Sequence, residues 1–260
     1  MHQGGTMSSN IADLFRRSAA ALLWAIAAMA AGSPAQAVVG PSRPEVGAIR
    51  DSLVMVLQRR GAAAGFCTGV VVGPRAVVTA AHCVPAGADL RVHFKDGDGA
   101  PVLLPVARVT RHAGYRPDAI ARRERSIDLA VLTLDAELPE RFRPARLASV
   151  GSARVGEAFT VAGFGLSREG EASSSGTLRE ASLAARAPLS DVLLWAADPA
   201  TRGAGACTGD SGGPVLDASG AVAALTLWSA GTGARQCGAL TQALWVAPYR
   251  AWIAEAAARP

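Results

Sequence analysis

The chain has 260 residues, of which 50% are hydrophobic, only 5% are aromatic and 28 are glycine. This composition excludes a disordered protein and is typical of a globular protein with many short strands and turns. The formal net charge of +5 is a modest excess spread along the chain, so it gives no case for nucleic-acid binding.

The first 37 residues have the pattern of a cleavable secretory signal peptide. Arg16 and Arg17 precede an apolar segment, Ala19–Ala31, and Ala35–Ala37 (Ala-Gln-Ala) offers the small-x-small pattern of a signal-peptidase site. The apolar segment is shorter than the roughly 20 residues of a transmembrane helix, although an uncleaved membrane anchor is the alternative interpretation. We therefore expect a secreted or periplasmic protein with no stable membrane association after signal cleavage.

Beyond the leader, short apolar stretches bounded by glycine, proline or polar residues predict β-strands. The final stretch, Pro248–Ala258, has Trp252, Ile253 and alanines at helical spacing. The sequence therefore predicts an all-β protein that ends in a helix. The strand-like stretches are Leu53–Leu57, Val70–Val72, Leu129–Leu134, Phe159–Ala162 and Val222–Leu227.

The segment Cys207–Pro214, with the sequence CTGDSGGP, carries a candidate nucleophile, Ser211. A serine hydroxyl needs a base to take its proton and a rigid backbone to present it. Gly209 and Gly212 have no Cβ and tolerate tight turns with positive φ, and the N–H groups of Gly209 and Ser211 would form an oxyanion hole. The alternative interpretation is an ordinary glycine-rich turn.

A base and an orienting acid are both present upstream. His82 follows the apolar run Val77–Ala81, and Asp128 stands beside the apolar run Leu129–Leu132. An ionised carboxylate in such surroundings needs a hydrogen-bonded partner, and Nδ1 of His82 is the obvious one. Each residue alone would be interpreted as structural, but together with Ser211 they supply the parts of a catalytic triad.

The sequence resembles the trypsin/chymotrypsin-like serine proteases, in which three motifs occur in this same order. Two secondary motifs of that family also have counterparts, so the resemblance runs over residues 38–253. The segments that carry it are Thr79–Cys83 (TAAHC), Asp128–Ala130 (DLA), Gly209–Pro214 (GDSGGP), Val161–Gly165 (VAGFG) and His112–Tyr115 (HAGY).

The resemblance implies two six-stranded antiparallel β-barrels packed side by side, at about residues 38–146 and 147–246, and a closing helix at about 248–258. It implies a serine endopeptidase that acts on peptides or proteins through an acyl-enzyme, with Ser211 as nucleophile, His82 as acid and base, and Asp128 as orienting acid. No cofactor is implied. A catalytically silent binding module on this scaffold is the alternative, and so is an esterase, but the sequence has lost no triad residue.

Cleavage after Ala37 would expose Val38-Val39-Gly40 as a new amino terminus. In the family that this chain resembles, such a freed α-ammonium turns inward and pairs with the aspartate before the nucleophile. The resemblance therefore implies an activation pair of Val38 and Asp210. Our hypothesis is that signal peptidase itself makes this active form, without a separate zymogen step. An ordinary frayed terminus is the alternative.

The four cysteines allow three pairings. The resemblance selects Cys67 with Cys83 and Cys207 with Cys237, and disulfides suit an oxidising compartment. Metal binding is the rival explanation, but the spacings lack paired C-x-x-C or H-x-x-x-H elements. We expect no metal site, and we interpret Asp96–Gly99 as an ordinary Asp-Gly turn.

The predicted primary specificity pocket lacks an acid. In the family, an acid six residues before the nucleophile selects Arg or Lys, but here that residue is Gly205, followed by Ala206. The chain from Ala218 to Ala254 contains no Asp or Glu, so a substrate cation would be buried unpaired. We expect cleavage after Arg or Lys to be disfavoured and an uncharged residue, with apolar ones favoured, to be accepted.

The walls of that pocket are less constrained by the motifs. Trp228 and Ser229 are assigned to them, although Leu227-Trp228-Ser229 departs from the usual S-W-G of the family. Either Thr226 or Ser229 falls near the position of a hydroxyl that supports Asp128, and we expect Thr226 to supply it. Arg235 either reaches the pocket mouth or belongs to a solvated loop.

Overall fold

The computed structural model describes residues 38–40, 42–43, 47–122 and 124–259. The signal peptide expected at residues 1–37 lies outside the described residues. Within the described part of the chain, no helix has both the length and the apolar character needed to cross a membrane.

The first half of the chain forms a closed barrel of six strands, each antiparallel to its neighbours. Around the barrel the order is β1, β2, β3, β6, β5 and β4. These strands are β1 (Leu53–Arg60), β2 (Ala63–Gly73), β3 (Ala76–Thr79), β4 (Asp89–Lys95), β5 (Pro101–Arg111) and β6 (Ala130–Leu134).

The second half forms another closed antiparallel barrel of six strands, in the order β10, β11, β12, β9, β8 and β7. The predicted fold class, two six-stranded antiparallel barrels with a C-terminal helix, is therefore confirmed. These strands are β7 (Ala158–Gly163), β8 (Arg179–Ala185), β9 (Leu193–Ala197), β10 (Pro214–Leu216), β11 (Val222–Ala230) and β12 (Leu240–Trp245).

Helical segments are few and short in the described residues. The α-helices are α1 (Ala119–Arg122) and the C-terminal α2 (Arg250–Ala258), which buries Ile253 and Ala256. Four 3-10 turns complete the regular structure, and one of them positions a predicted site residue. They are Ala48–Ser52, Ala81–Cys83, Ala172–Ser174 and Ala247–Tyr249.

The burial pattern of each strand follows from its place in a barrel. In β4 the buried residues alternate with less buried ones, since successive side chains of a strand point to opposite faces. All residues of β3 and β6 are buried, because their outer faces meet other structure. One hydrophobic cluster contains β6 residues such as Val131, β11 residues such as Leu225, and Ile253 of α2. The two barrels and the C-terminal helix therefore share a core where they meet.

Candidate active site

Two neighbouring strands of the first barrel bring His82 and Asp128 together. The register pairs Thr79, the last residue of β3, with Ala130, the first residue of β6. Because the strands are antiparallel, the segment after β3 and the segment before β6 lie at the same edge of the barrel. The 3-10 turn Ala81–Cys83 at that edge carries His82.

The carboxylate of Asp128 holds His82 by two hydrogen bonds. Its Oδ1 accepts the backbone N–H of His82 at 2.9 Å, and its Oδ2 lies 2.6 Å from Nδ1 of the ring. The exposed fractions of the two side chains are 16% for Asp128 and 37% for His82. With the Nδ1 proton directed at the carboxylate, Nε2 of the neutral ring carries a free lone pair that can accept a proton.

The turn that carries Ser211 belongs to the second barrel but is bound to Thr68 of the first. The N–H of Thr68 donates to the carbonyl of Ser211 at 2.9 Å, and its hydroxyl donates to the carbonyl of Gly209 at 2.9 Å. Thr68 is fully buried. These bonds place the serine turn next to the edge that carries His82.

The Ser211 hydroxyl donates to the carbonyl of Leu227 at 3.2 Å. A direct bond from this hydroxyl to Nε2 of His82 is not among the hydrogen bonds of the described residues. The Sγ atom of Cys83 lies 3.7 Å from that Nε2 and also 3.7 Å from the carbonyl oxygen of Ser211. One sulfur atom therefore lies between the ring of the predicted base and the backbone of the residue that carries the predicted nucleophile. Catalytic hydrogen bonds of this kind are often loose without substrate.

Gly209 and Gly212 are required by the shape of the serine turn. Their φ angles are +96° and +79°. A Cβ on Gly209 would lie 2.1 Å from the Phe66 ring, and one on Gly212 would lie 2.0 Å from the Thr79 hydroxyl. In the described part of the chain, the N–H groups of Gly209 and Ser211 donate to no acceptor. They are thus available to bind an oxyanion.

Asp210 is fully buried beneath this turn. Its Oδ1 accepts the N–H of Gly165 at 2.8 Å, and its Oδ2 accepts the N–H of Cys207 at 2.9 Å. Burial raises the pKa of Asp210 from 3.8 to about 7, although the two N–H donors oppose this shift. A Cβ on Gly163 or Gly165 would lie within 2.6 Å of this carboxylate. The glycines of the segment Val161–Gly165 therefore provide the space for it.

Val38 lies next to the same region of the second barrel. Its side chain is fully buried in a cluster with Ala204 and Ala206. Val39 forms a two-way backbone pair with Gly205, with N···O distances of 3.1 and 3.2 Å. No hydrogen bond between Val38 and Asp210 is among those of the described residues. The predicted pair is therefore not joined in the uncleaved chain.

Both disulfides have the pairing that the resemblance implies. Cys67 is bonded to Cys83, and Cys207 is bonded to Cys237. The first links β2 to the turn that carries His82, and the second closes the segment before Ser211. Asp96 of the predicted turn accepts the N–H groups of Asp98 and Ala100.

The four residues predicted for the specificity pocket fall into two places. Gly205 and Ala206 are buried, and Ala206 donates its N–H to the hydroxyl of Thr241 at 3.0 Å. Ser229 is the register partner of Thr241 on the adjacent strand. Trp228 instead lines the open cleft and is 46% exposed. Thr241 is thus a partner of the predicted pocket residue Ala206 that sequence reasoning missed, because the contact spans 35 positions.

The open cleft has a volume of about 590 Å³ and is lined by residues of both barrels, including His82, Asp128, Tyr115, Leu193 and Trp228. Its lining is mainly apolar, and it includes the predicted base and the predicted acid. Burial and the nearby Asp128 carboxylate raise the pKa of Tyr115, although the Arg111 charge opposes this. A peptide chain laid in this cleft would therefore pass beside His82.

The expected hydrogen bond from Thr226 to Asp128 was wrong. The Thr226 hydroxyl has no partner in the described part of the chain. The reason is the alternation of side chains along β11, which places Thr226 on the same face as Ala224, a member of the cluster that also contains Ala206. Arg235 is exposed and lines a separate depression, as the solvated-loop interpretation expects.

Comparisons with known proteins agree with this architecture. A profile of the trypsin family (described as Trypsin) matches residues 45–253. Granzyme M of Homo sapiens is 33% identical over 227 residues, which are 78% of this chain and 83% of granzyme M. Kallikrein-8 of Homo sapiens is 28% identical over 186 residues, 66% of this chain and 68% of that protein.

Solved structures show the same fold. Neuropsin, a serine protease expressed in the limbic system of mouse brain, superposes with a TM-score of 0.65 at 23% identity, over 83% of this chain and 98% of neuropsin. The fold and the family match together define a serine endopeptidase, a hydrolase that acts on peptides or proteins. The chain belongs to the trypsin family.

The raised pKa of Asp210 predicts a pH-dependent stability in the full-length chain. The folded chain retains a proton that the unfolded chain releases above its pKa of 3.8. The free energy of unfolding should therefore fall as pH rises from about 4 to about 7, by up to about 1.4 kcal/mol per pH unit. Urea unfolding at several pH values should show a shallower decline for Asp210→Asn. Both proteins would carry Ser211→Ala to prevent self-digestion, and parallel declines would contradict the prediction.

Proposed function

We propose that Ser211, His82 and Asp128 form the catalytic triad of this endopeptidase. The observation that carries the proposal is the paired contact of Asp128 with His82, at the edge where Thr68 holds the serine turn. Asp128 holds Nδ1 of the ring, which leaves Nε2 to accept a proton. The ring then takes the proton of the Ser211 hydroxyl as its oxygen attacks the substrate carbonyl.

The oxyanion that develops in this attack would be bound by the N–H groups of Gly209 and Ser211. These donors are preorganised by the turn, so they need no rearrangement when charge develops. Protonated His82 then gives its proton to the leaving amine, and an acyl-enzyme on Ser211 remains. Water activated by the same ring releases the acid product, which restores the free hydroxyl.

We infer that the pocket accepts an uncharged residue before the scissile bond. The support is chemical: Gly205 and Ala206 offer no charge, and in the active form proposed below the Asp210 carboxylate is paired with the α-ammonium of Val38. A buried Arg or Lys side chain would have no counter-charge, and such a charge is costly.

Cleavage profiling on a diverse peptide library tests the triad and the pocket together. We expect cuts that depend on Ser211, so that Ser211→Ala lowers the rate by roughly 10⁴-fold or more. Arg and Lys should be depleted before the cut bonds. The matched control is Ser219→Ala, since Ser219 is an exposed turn residue, and it should keep full activity. Cuts that survive Ser211→Ala would refute the triad, whereas tryptic cuts lost in Ser211→Ala would refute only the pocket.

We also propose that the chain is exported and that removal of residues 1–37 produces the active form. Two disulfides favour an oxidising compartment. Val38 is already buried against the second barrel, in a cluster with Ala206 of the segment that leads to Asp210, and we propose that the freed α-ammonium turns toward Asp210. The pairing would lower the pKa of Asp210 and favour its ionised form.

Amino-terminal sequencing of the active, exported protein tests this activation step. We expect the sequence to begin at Val38. An added residue before Val38 should lower activity strongly, because the α-ammonium would be displaced from Asp210. An active protein that begins elsewhere, or full activity with the added residue, would contradict the proposal.

A further inference from the structure

The hydroxyl of Thr226 is a buried polar group without a hydrogen-bond partner in the described part of the chain. The residue is only 1% exposed. Buried hydroxyl groups are rarely left unsatisfied, because desolvation then goes uncompensated. Such a group therefore marks a place where a ligand or a water molecule supplies the missing bond.

Thr226 lies directly beside the serine turn. Its carbonyl accepts the N–H of Gly212 at 2.6 Å, and its N–H donates to the carbonyl of Gly213 at 2.8 Å. These two glycines follow Ser211 in the chain. The orphan hydroxyl is thus fixed within a few residues of the proposed nucleophile.

The surroundings of this hydroxyl are made of small side chains. Thr226 shares a face of β11 with Ala224, and its register partner on β12 is Ala243. Ala224, Ala243 and Ala206 belong to one packed cluster. Each of these alanines carries only a methyl group, and Gly205 beside Ala206 carries no side chain.

A second hydroxyl faces the same region. Thr241 lies two residues before Ala243 on β12, so both side chains point to the same face. Its oxygen accepts the N–H of Ala206 at 3.0 Å, which leaves its own proton to donate. The charged group nearby is Asp210, and Gly165 and Cys207 already donate to both of its oxygens. The groups that remain free to bind a substrate, the hydroxyls of Thr226 and Thr241, are therefore uncharged and can form hydrogen bonds.

We propose that the Thr226 hydroxyl binds the substrate side chain before the scissile bond, and that this side chain is a carboxamide, Gln or Asn. A carboxamide both donates and accepts hydrogen bonds, so it can satisfy Thr226 and receive the proton of Thr241 without bringing a charge into the site. This replaces the expectation that apolar residues are favoured. The proposal rests on the proposed function, since it names the substrate class of the same site.

The test compares peptides that differ only before the cut bond, with Gln, its near-isostere Met, or Arg. The unmodified protein should cleave the Gln peptide at least about ten times better than the Met peptide, measured as kcat/KM, because a site built for hydrogen bonding rejects an analogue that lacks the polar group. Thr226→Val should bring this ratio close to one while the Met peptide is still cleaved. Thr226→Ser, which keeps the hydroxyl, should retain most of the preference.

Thr160→Val is the matched control, since Thr160 lies on β7 of the same barrel and pairs with Leu216 and Ser182. It should leave the ratio unchanged. A ratio near or below one in the unmodified protein would overturn the proposal. So would a ratio that survives Thr226→Val, because a buried water would then be the partner of the hydroxyl.

A binding measurement distinguishes this proposal from the proposed catalytic triad. Peptide affinities measured by fluorescence anisotropy with the Ser211→Ala protein should show the same preference for Gln over Met and its loss in the Thr226→Val double variant. If no peptide is cleaved but this preference appears, the catalytic proposal fails and the pocket assignment stands. Equal affinities for Gln and Met would overturn the pocket assignment whatever the catalytic result.

Discussion

The hydrogen bonds of Thr68 are the constraint on which the site depends. One residue of the first barrel binds the carbonyls of Ser211 and Gly209, while its hydroxyl oxygen accepts the N–H of Phe164 at 3.1 Å and its carbonyl accepts the hydroxyl of Thr79 at 2.9 Å. Both threonines are fully buried, so water does not compete for these bonds. The barrels are joined at the point where the proposed nucleophile of one meets the proposed base of the other.

The site also depends on the buried carboxylate of Asp210. The Asp210 carboxylate lies under the serine turn in space provided by Gly163 and Gly165, and its pKa of about 7 records the cost of ionising it there. An added cation beside Asp210 would lower that cost. The backbone pair of Val39 with Gly205 joins the amino-terminal segment to the segment before the serine turn.

The sequence predicted the fold class and the pairing of His82 with Asp128 because its motifs resemble those of one family, and that resemblance implies how distant segments come together. It did not predict Thr68 or Thr241, whose partners are 141 and 35 positions away, and an isolated threonine in a strand carries no signal of its role. Thr226 was misassigned because its direction depends on strand register, which alternation decides only once the pairing is known. The hydroxyls that we assign to the specificity pocket therefore emerge only from tertiary structure.

The most direct test of the account is labelling by an activated serine-directed phosphonate, with the modified residue located by mass spectrometry. The account predicts one modified serine, Ser211, and loss of the label in His82→Ala, because only a serine beside a proton acceptor reacts readily. Labelling of another serine, or labelling of Ser211 that does not depend on His82, would contradict a triad assembled across the two barrels.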